Sequence, residues 1–91
     1  MKMNILHAEM HYSEQEGYLG KVHFAIEGHK QPYELTLQSN DQPDDWNYAL
    51  NFLQESGKEQ EIEWVEQAIE TDDELFDNLV EAAMNSLKDG A

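Results

Sequence analysis

From Tyr18 to Glu27, Tyr18, Gly20, Val22, Phe24 and Ile26 fall on one side of an extended chain, and Leu19, Lys21, His23, Ala25 and Glu27 on the other. A period of two between turn residues marks a half-buried strand, and this one is expected to be central. The segment before it, Asn4 to Ser13, alternates too. Leu6, Ala8, Met10 and Tyr12 form its apolar side, and Ile5, His7, Glu9 and His11 the other. Glu14 to Gly17 read as a type I turn closed by a left-handed glycine. A three-residue loop there sets Glu9 opposite His23 and His11 opposite Lys21. A five-residue loop sets Glu9 opposite Lys21 and His7 opposite His23. Both keep the apolar residues on one face.

Glu27, Gly28, His29 and Lys30 read as a type II′ hairpin turn with glycine at its first central position. A third strand, about 32–38, follows with Tyr33, Leu35 and Leu37 inward and Glu34, Thr36 and Gln38 outward. The turn pairs Phe24 with Tyr33, Val22 with Leu35 and His23 with Glu34. Pro32, which has no N–H for a ladder, leaves a slipped register with a longer loop open. Ser39 to Asp45 is dense in turn formers and reads as a loop. Between Trp46 and Leu53, Trp46, Tyr48, Leu50 and Phe52 alternate with Asn47, Ala49 and Asn51, which fits a fourth strand. Trp46, Ala49, Leu50 and Leu53 also fit a helix face that Asp41 or Asp44 would cap. The strand is preferred, because it puts both asparagines on the wet side.

The period then changes to that of a helix. Ser56 with Glu59, and Thr71 with Glu74, have the spacing of capping boxes and predict helices over about 57–70 and 72–88. The first buries Ile62, Val65 and Ile69, with Trp64 and Ala68 beside them. The second carries a wide stripe of Leu75, Phe76, Leu79, Val80, Ala83, Met84 and Leu87, with Asp72, Asp73 and Glu74 at the positive end of its dipole and Lys88 and Gly90 at its close. The predicted fold is a two-layer α+β domain, a four-stranded antiparallel meander with two C-terminal helices across its apolar face (ββββαα).

Composition alters this picture mainly through charge. The 91 residues carry a formal charge of −15. Residues 1–40 hold five acids and three lysines, and residues 41–91 hold fifteen acids and two lysines, so the helical half carries nearly all of it. Such a surface repels phosphates and anionic membranes and attracts basic proteins. The absence of cysteine excludes disulfides and thiolate chemistry. No apolar run reaches the roughly 20 residues that span a bilayer. In MKMNILHAEMHY, His7, Glu9 and His11 interrupt the apolar run of a signal peptide. A cytoplasmic location is the expectation.

Two constellations bear chemistry. His7, Glu9 and His11, joined by His23 and Glu34 from neighbouring strands, supply imidazole and carboxylate ligands for zinc or a similar ion, or a histidine base beside a carboxylate. Such residues are also ordinary occupants of a solvated sheet face. No nucleophile accompanies them, since Ser13, Ser39, Ser56 and Ser86 fall at turns or helix ends. The second is an acidic layer of Glu59, Glu63, Glu66, Glu70, Asp73, Asp77 and Glu81 on the outer helix positions. Four helical residues rise about 6 Å, whereas one DNA strand presents a phosphate about every 3.4 Å, so the match to a DNA mimic is loose. Neither acidic run has the spacing of a calcium loop. Ile5, Leu19, Ala25, Ala49 and Leu53 on the wet face, together with open strand edges, make a homodimer an alternative to a monomer. The function expected is a non-enzymatic interaction or regulatory module with no cofactor and a basic protein as partner, not nucleic acid or membrane. The alternatives are a metal or acid-base site on the sheet and a DNA-mimic inhibitor.

Overall fold

A computed structural model describes residues 2–40 and 46–89, with the side chains of 88 and 89 left undescribed. Its order is β1 (Met3–Ser13), β2 (Gly17–Ile26), β3 (Tyr33–Ser39), β4 (Asn47–Phe52), α1 (Glu59–Thr71) and α2 (Asp73–Asp89). The strands form one antiparallel sheet in chain order, and both helices lie on the same face of it. The predicted ββββαα architecture is the one observed, and Trp46 to Leu53 contributes a strand. Asp41 to Asp45 of the expected loop, and Gly90 at the expected helix end, lie outside the described residues.

The core follows from parity. Val22 and Phe24 of β2, Tyr33, Leu35 and Leu37 of β3, Val65 of α1, and Leu79 and Ala83 of α2 are wholly withdrawn from water. Each large apolar side chain so buried contributes about 1.5–3 kcal/mol. Tyr48, Leu50 and Phe52 are half-buried, because α1 covers β4 less completely than α2 covers β1 and β2.

The hairpins settle what the pattern left open. In the first, Tyr12 pairs with Tyr18, Glu9 with Lys21 and His7 with His23, and Ser13 facing Gly17 leaves Glu14–Glu16 as the turn. Of the two registers considered, this is the one with His7 opposite His23, expected for a five-residue loop; the ladder runs one pair beyond Tyr12–Tyr18 to Ser13–Gly17, so only three residues remain in the turn. A bulge between Ile5 and His7 then reverses the alternation. Ile5 pairs with the core residue Phe24, while Leu6 is the extra residue and remains 56% exposed. The assignment of Leu6 to the apolar side is thereby corrected; Ile5, although paired with Phe24, is 41% exposed. In the second hairpin the predicted pairs of Phe24 with Tyr33, Val22 with Leu35 and His23 with Glu34 are present. The turn itself differs. The His29 N–H donates to the Ile26 carbonyl at 3.0 Å, which puts Gly28, at φ +88°, in the second central position that a type II turn reserves for a positive φ. The ladder ends before Pro32, whose carbonyl accepts from the Leu53 N–H, so its missing donor costs nothing.

Neither capping box forms. The N-cap of α1 is Lys58, in extended conformation and without a side-chain cap, because Gly57 first carries the chain across Phe52 and Gln31, where a Cβ would clash. Ser56 is therefore too early to cap. Thr71 belongs to the last turn of α1, where its hydroxyl donates to the Gln67 carbonyl. Asp72 alone joins the helices. Its N–H closes α1 on the Ala68 carbonyl at 2.8 Å, and its Oδ1 accepts from the Glu74 and Leu75 N–H groups at 3.1 and 3.3 Å to open α2. Trp64, expected beside the core, is 47% exposed.

Replacement of Asp72 by Ala is expected to cost about 1 kcal/mol in urea unfolding, and replacement of Ser56 by Ala close to nothing. Gly17→Ala is expected to lose more than Gly28→Ala. Both glycines hold positive φ, a cost of about 1–2 kcal/mol for an L-residue, but at Gly17 the new Cβ also meets the Ser39 carbonyl, whereas at Gly28 it meets open space.

Candidate functional site

The open face of the sheet is built from the outward residues of each strand. Strand pairing arranges them in rows, His7–His23–Glu34–Asn51 and Glu9–Lys21–Thr36–Ala49. All five residues singled out for metal or acid-base chemistry are thus on one face, in two hydrogen-bonded groups. Glu9 accepts from His7 Nε2 at 3.3 Å and from His11 Nε2 at 3.2 Å, and Glu34 accepts from His23 Nε2 at 3.0 Å. The His7 and His23 rings stand 5.5 Å apart and tilted, bringing the groups side by side without a shared centre.

Electrostatics follows from these contacts. The hydrogen bonds from His11 and His7 hold the Glu9 carboxyl below the ordinary glutamate value, assisted by the charge of Lys21 and opposed by partial burial. The His23–Glu34 pair is the more shielded, with side chains 23% and 28% exposed.

Among the described residues no three His, Asp or Glu side chains converge on a point that would hold a metal ion. Strand geometry supplies the reason. His7 and His11 are four residues apart on an extended strand, about 13 Å, while two ligands of one zinc ion each lie about 2 Å from it. A groove of about 540 Å³ touches Glu9 and His11 at the β1 edge but does not reach His23 or Glu34. Ser13 Oγ accepts from the Glu16 N–H, and Ser86 Oγ donates to the Ala83 carbonyl, so both are occupied in local structure.

On the opposite side of the molecule, Glu59, Glu63, Glu66, Glu70, Asp73, Asp77 and Glu81 are all exposed, as the helical pattern requires. Residues 59–87 contain ten carboxylates and no lysine, arginine or histidine. Glu70 also accepts from the Tyr48 hydroxyl at 3.4 Å, and burial and the nearby Glu70 and Glu66 charges raise that phenol above its ordinary value. Glu61 turns inward, where its Oε1 accepts from the Lys30 N–H at 3.0 Å and ties the β2–β3 loop to α1.

Periodicity and composition carry no sign of the cluster this tie creates. His29, read as a simple turn residue, lies edge-on to Trp64 at 5.3 Å and accepts at Nδ1 from the Tyr33 hydroxyl at 2.8 Å. Trp64 also borders a groove of about 460 Å³ lined by Gln67, Ala68, Thr71 and Asp72. An indole beside Val65 gave no signal, because helical periodicity alone does not show where the helix leaves the sheet. The only available hint was the spacing of Trp64 to Ala68 and Thr71 along one helix side.

Among the described residues no helix is long and apolar enough to cross a membrane. Compared with family models, curated proteins and solved structures, the chain matches none.

Burial, and secondarily the charge of Glu61, push the Tyr33 phenol up to about 12. A folded-state value raised above the unfolded one contributes stability that is fully present below the unfolded value and is lost as pH rises through the folded one. Resistance to urea unfolding is therefore expected to fall between pH 10 and about 12. Tyr33→Phe should cost about 0.5–1.5 kcal/mol at neutral pH for the lost hydrogen bond and should flatten the alkaline decline.

Proposed function

We propose that the protein is a non-enzymatic interaction module whose helical layer engages a basic protein segment. The observation that supports this most directly is Trp64, 47% exposed beside a groove and set in a helix layer with ten carboxylates and no basic residue over 59–87. Tryptophan is over-represented among residues that dominate binding energy, and an indole face attracts lysine and arginine as well as apolar groups. Carboxylates around such an anchor accelerate encounter with a cationic partner and reject acidic ones. The partner that fits is a lysine- or arginine-rich segment with an apolar residue to fill the groove. Nucleic acid fits poorly, since its phosphates meet like charge here.

Titration with a synthetic lysine-rich amphipathic peptide, followed by tryptophan fluorescence with Trp64→Phe as control, tests the proposal. Binding is expected at low ionic strength, to weaken steadily with added salt, and to drop about tenfold or more in a Glu63→Lys, Glu66→Lys, Glu70→Lys variant. Binding that ignores both salt and the charge reversal would exclude the helical layer as the interface.

A further inference from the structure

The sheet has two edges, and they are not equivalent. β4 is six residues long, and short edge strands are one of the ways a fold discourages pairing with other chains. β1 has eleven residues and contains neither the proline nor the lysine that commonly guards an edge. Its one irregularity, the bulge at Leu6, leaves His7 to Ser13 regular. Among the described residues no strand occupies the outer side of β1. What lies there is the groove of about 540 Å³, lined by every residue from Ala8 to Tyr12 of β1, with Ser86 and Leu87 of α2 as its far wall.

An extended segment added at this edge would complete a β-ladder and place alternate side chains in the groove. The sequence of β1 itself fits that description. When a strand pairs antiparallel with its own copy about a two-fold axis normal to the sheet, facing residues share a side, so the axis passes through a single residue and few registers exist. Centring on Glu9 sets Glu9 against its own copy, two carboxylates at facing positions. Centring on Ala8 draws the bulged Leu6 into the ladder. Centring on Met10 avoids both. It pairs His7 to Ser13 with their copies, sets each Glu9 opposite a His11, and sets each Tyr12, 46% exposed, opposite the small Ala8 of the other chain. An imidazole facing a carboxylate can donate a hydrogen bond to it across the strands, and a large side chain facing a small one fills the space between facing positions.

From this complementarity we infer that β1 is a self-association edge, at which a second copy of this chain pairs antiparallel about Met10 to form a continuous eight-stranded sheet. Each chain carries a formal −15 concentrated on its helices, and α2 flanks this edge, so the two copies repel at low ionic strength. Dimerisation therefore tightens as salt rises, whereas the binding of a basic segment to α1 weakens. The opposite salt responses keep the two proposals separable.

Sedimentation velocity across a range of protein concentrations, at about 0.05 M and about 0.5 M salt, provides the first test. A monomer–dimer equilibrium that tightens severalfold at the higher salt is expected. Tyr12→Lys, which plants a charge in the groove opposite Ala8, should return the protein to monomer with unchanged circular dichroism. An Ala8→Cys, Tyr12→Cys variant reads the register. Those positions are about 13 Å apart within one strand, beyond disulfide reach, but face each other across the Met10-centred pair, so oxidation should give a covalent dimer. A chain that stays monomeric at about 1 mM protein and either salt, a dimer that persists in Tyr12→Lys, or a dimer that the cysteine pair does not lock would each overturn the inference.

Discussion

Val22 and Phe24 of the second strand, with Tyr33, Leu35 and Leu37 of the third, are held out of water by Val65 and Leu79 of the helices above them. The rest of the molecule depends on that contact. A chain of this length buries only about 60% of the surface its unfolded form exposes, so it has one core and no reserve. Because side chains alternate along a strand, committing the inward residues of β2 and β3 to the helices fixes which of their residues face outward. The polar rows of the open face are a consequence of the buried one.

The two helices complete this core in a way that also sets the outer charge. Asp72 is both the end of one helix and the cap of the next, so the chain turns over a single residue and both apolar stripes meet the same sheet face. Their opposite stripes are left to solvent and carry Glu59, Glu63, Glu66, Glu70, Asp73, Asp77 and Glu81. The outcome is a molecule with two unlike sides. One is a strongly negative helical layer carrying a half-exposed Trp64. The other is a sheet surface where Glu9 and Glu34 are each engaged by histidines and Lys21 stands opposite Glu9. Long-range attraction of cations belongs to the first side. Short-range, register-specific pairing belongs to the second and to its open edge.

His29 illustrates how a loop gains definition from the layer beneath it. The Lys30 backbone is held by Glu61 of α1, and the imidazole is held between the Tyr33 hydroxyl and the Trp64 ring. The β2–β3 loop and the start of β3 thus meet α1, whose Glu61 is 31 residues from Lys30, next to the groove where a partner is proposed to dock. Tyr33 is also a side chain through which the core is expected to respond to alkaline pH, because its phenol is buried and has a carboxylate nearby.

The sequence alone determined the order and kind of every element, the parity of β2 and β3, the acidic outer layer, and the fact that His7, Glu9, His11, His23 and Glu34 share a face, since these follow from period and charge along the chain. It did not decide how those five residues would divide. A spacing of two along a strand is about 6.6 Å, so the histidines of β1 bracket Glu9 instead of converging, while the His23–Glu34 pair expected from the second hairpin forms a separate group. The local exceptions were decided by tertiary structure as well. Leu6 is displaced by a bulge, Ser56 is left unused because Gly57 must first cross Phe52, and the capping role passes from Thr71 to Asp72. Periodicity records which side of an element is buried. Where an element starts, slips or meets its neighbour depends on contacts between residues distant in the chain, and those exist only once the sheet and helices have closed on one another.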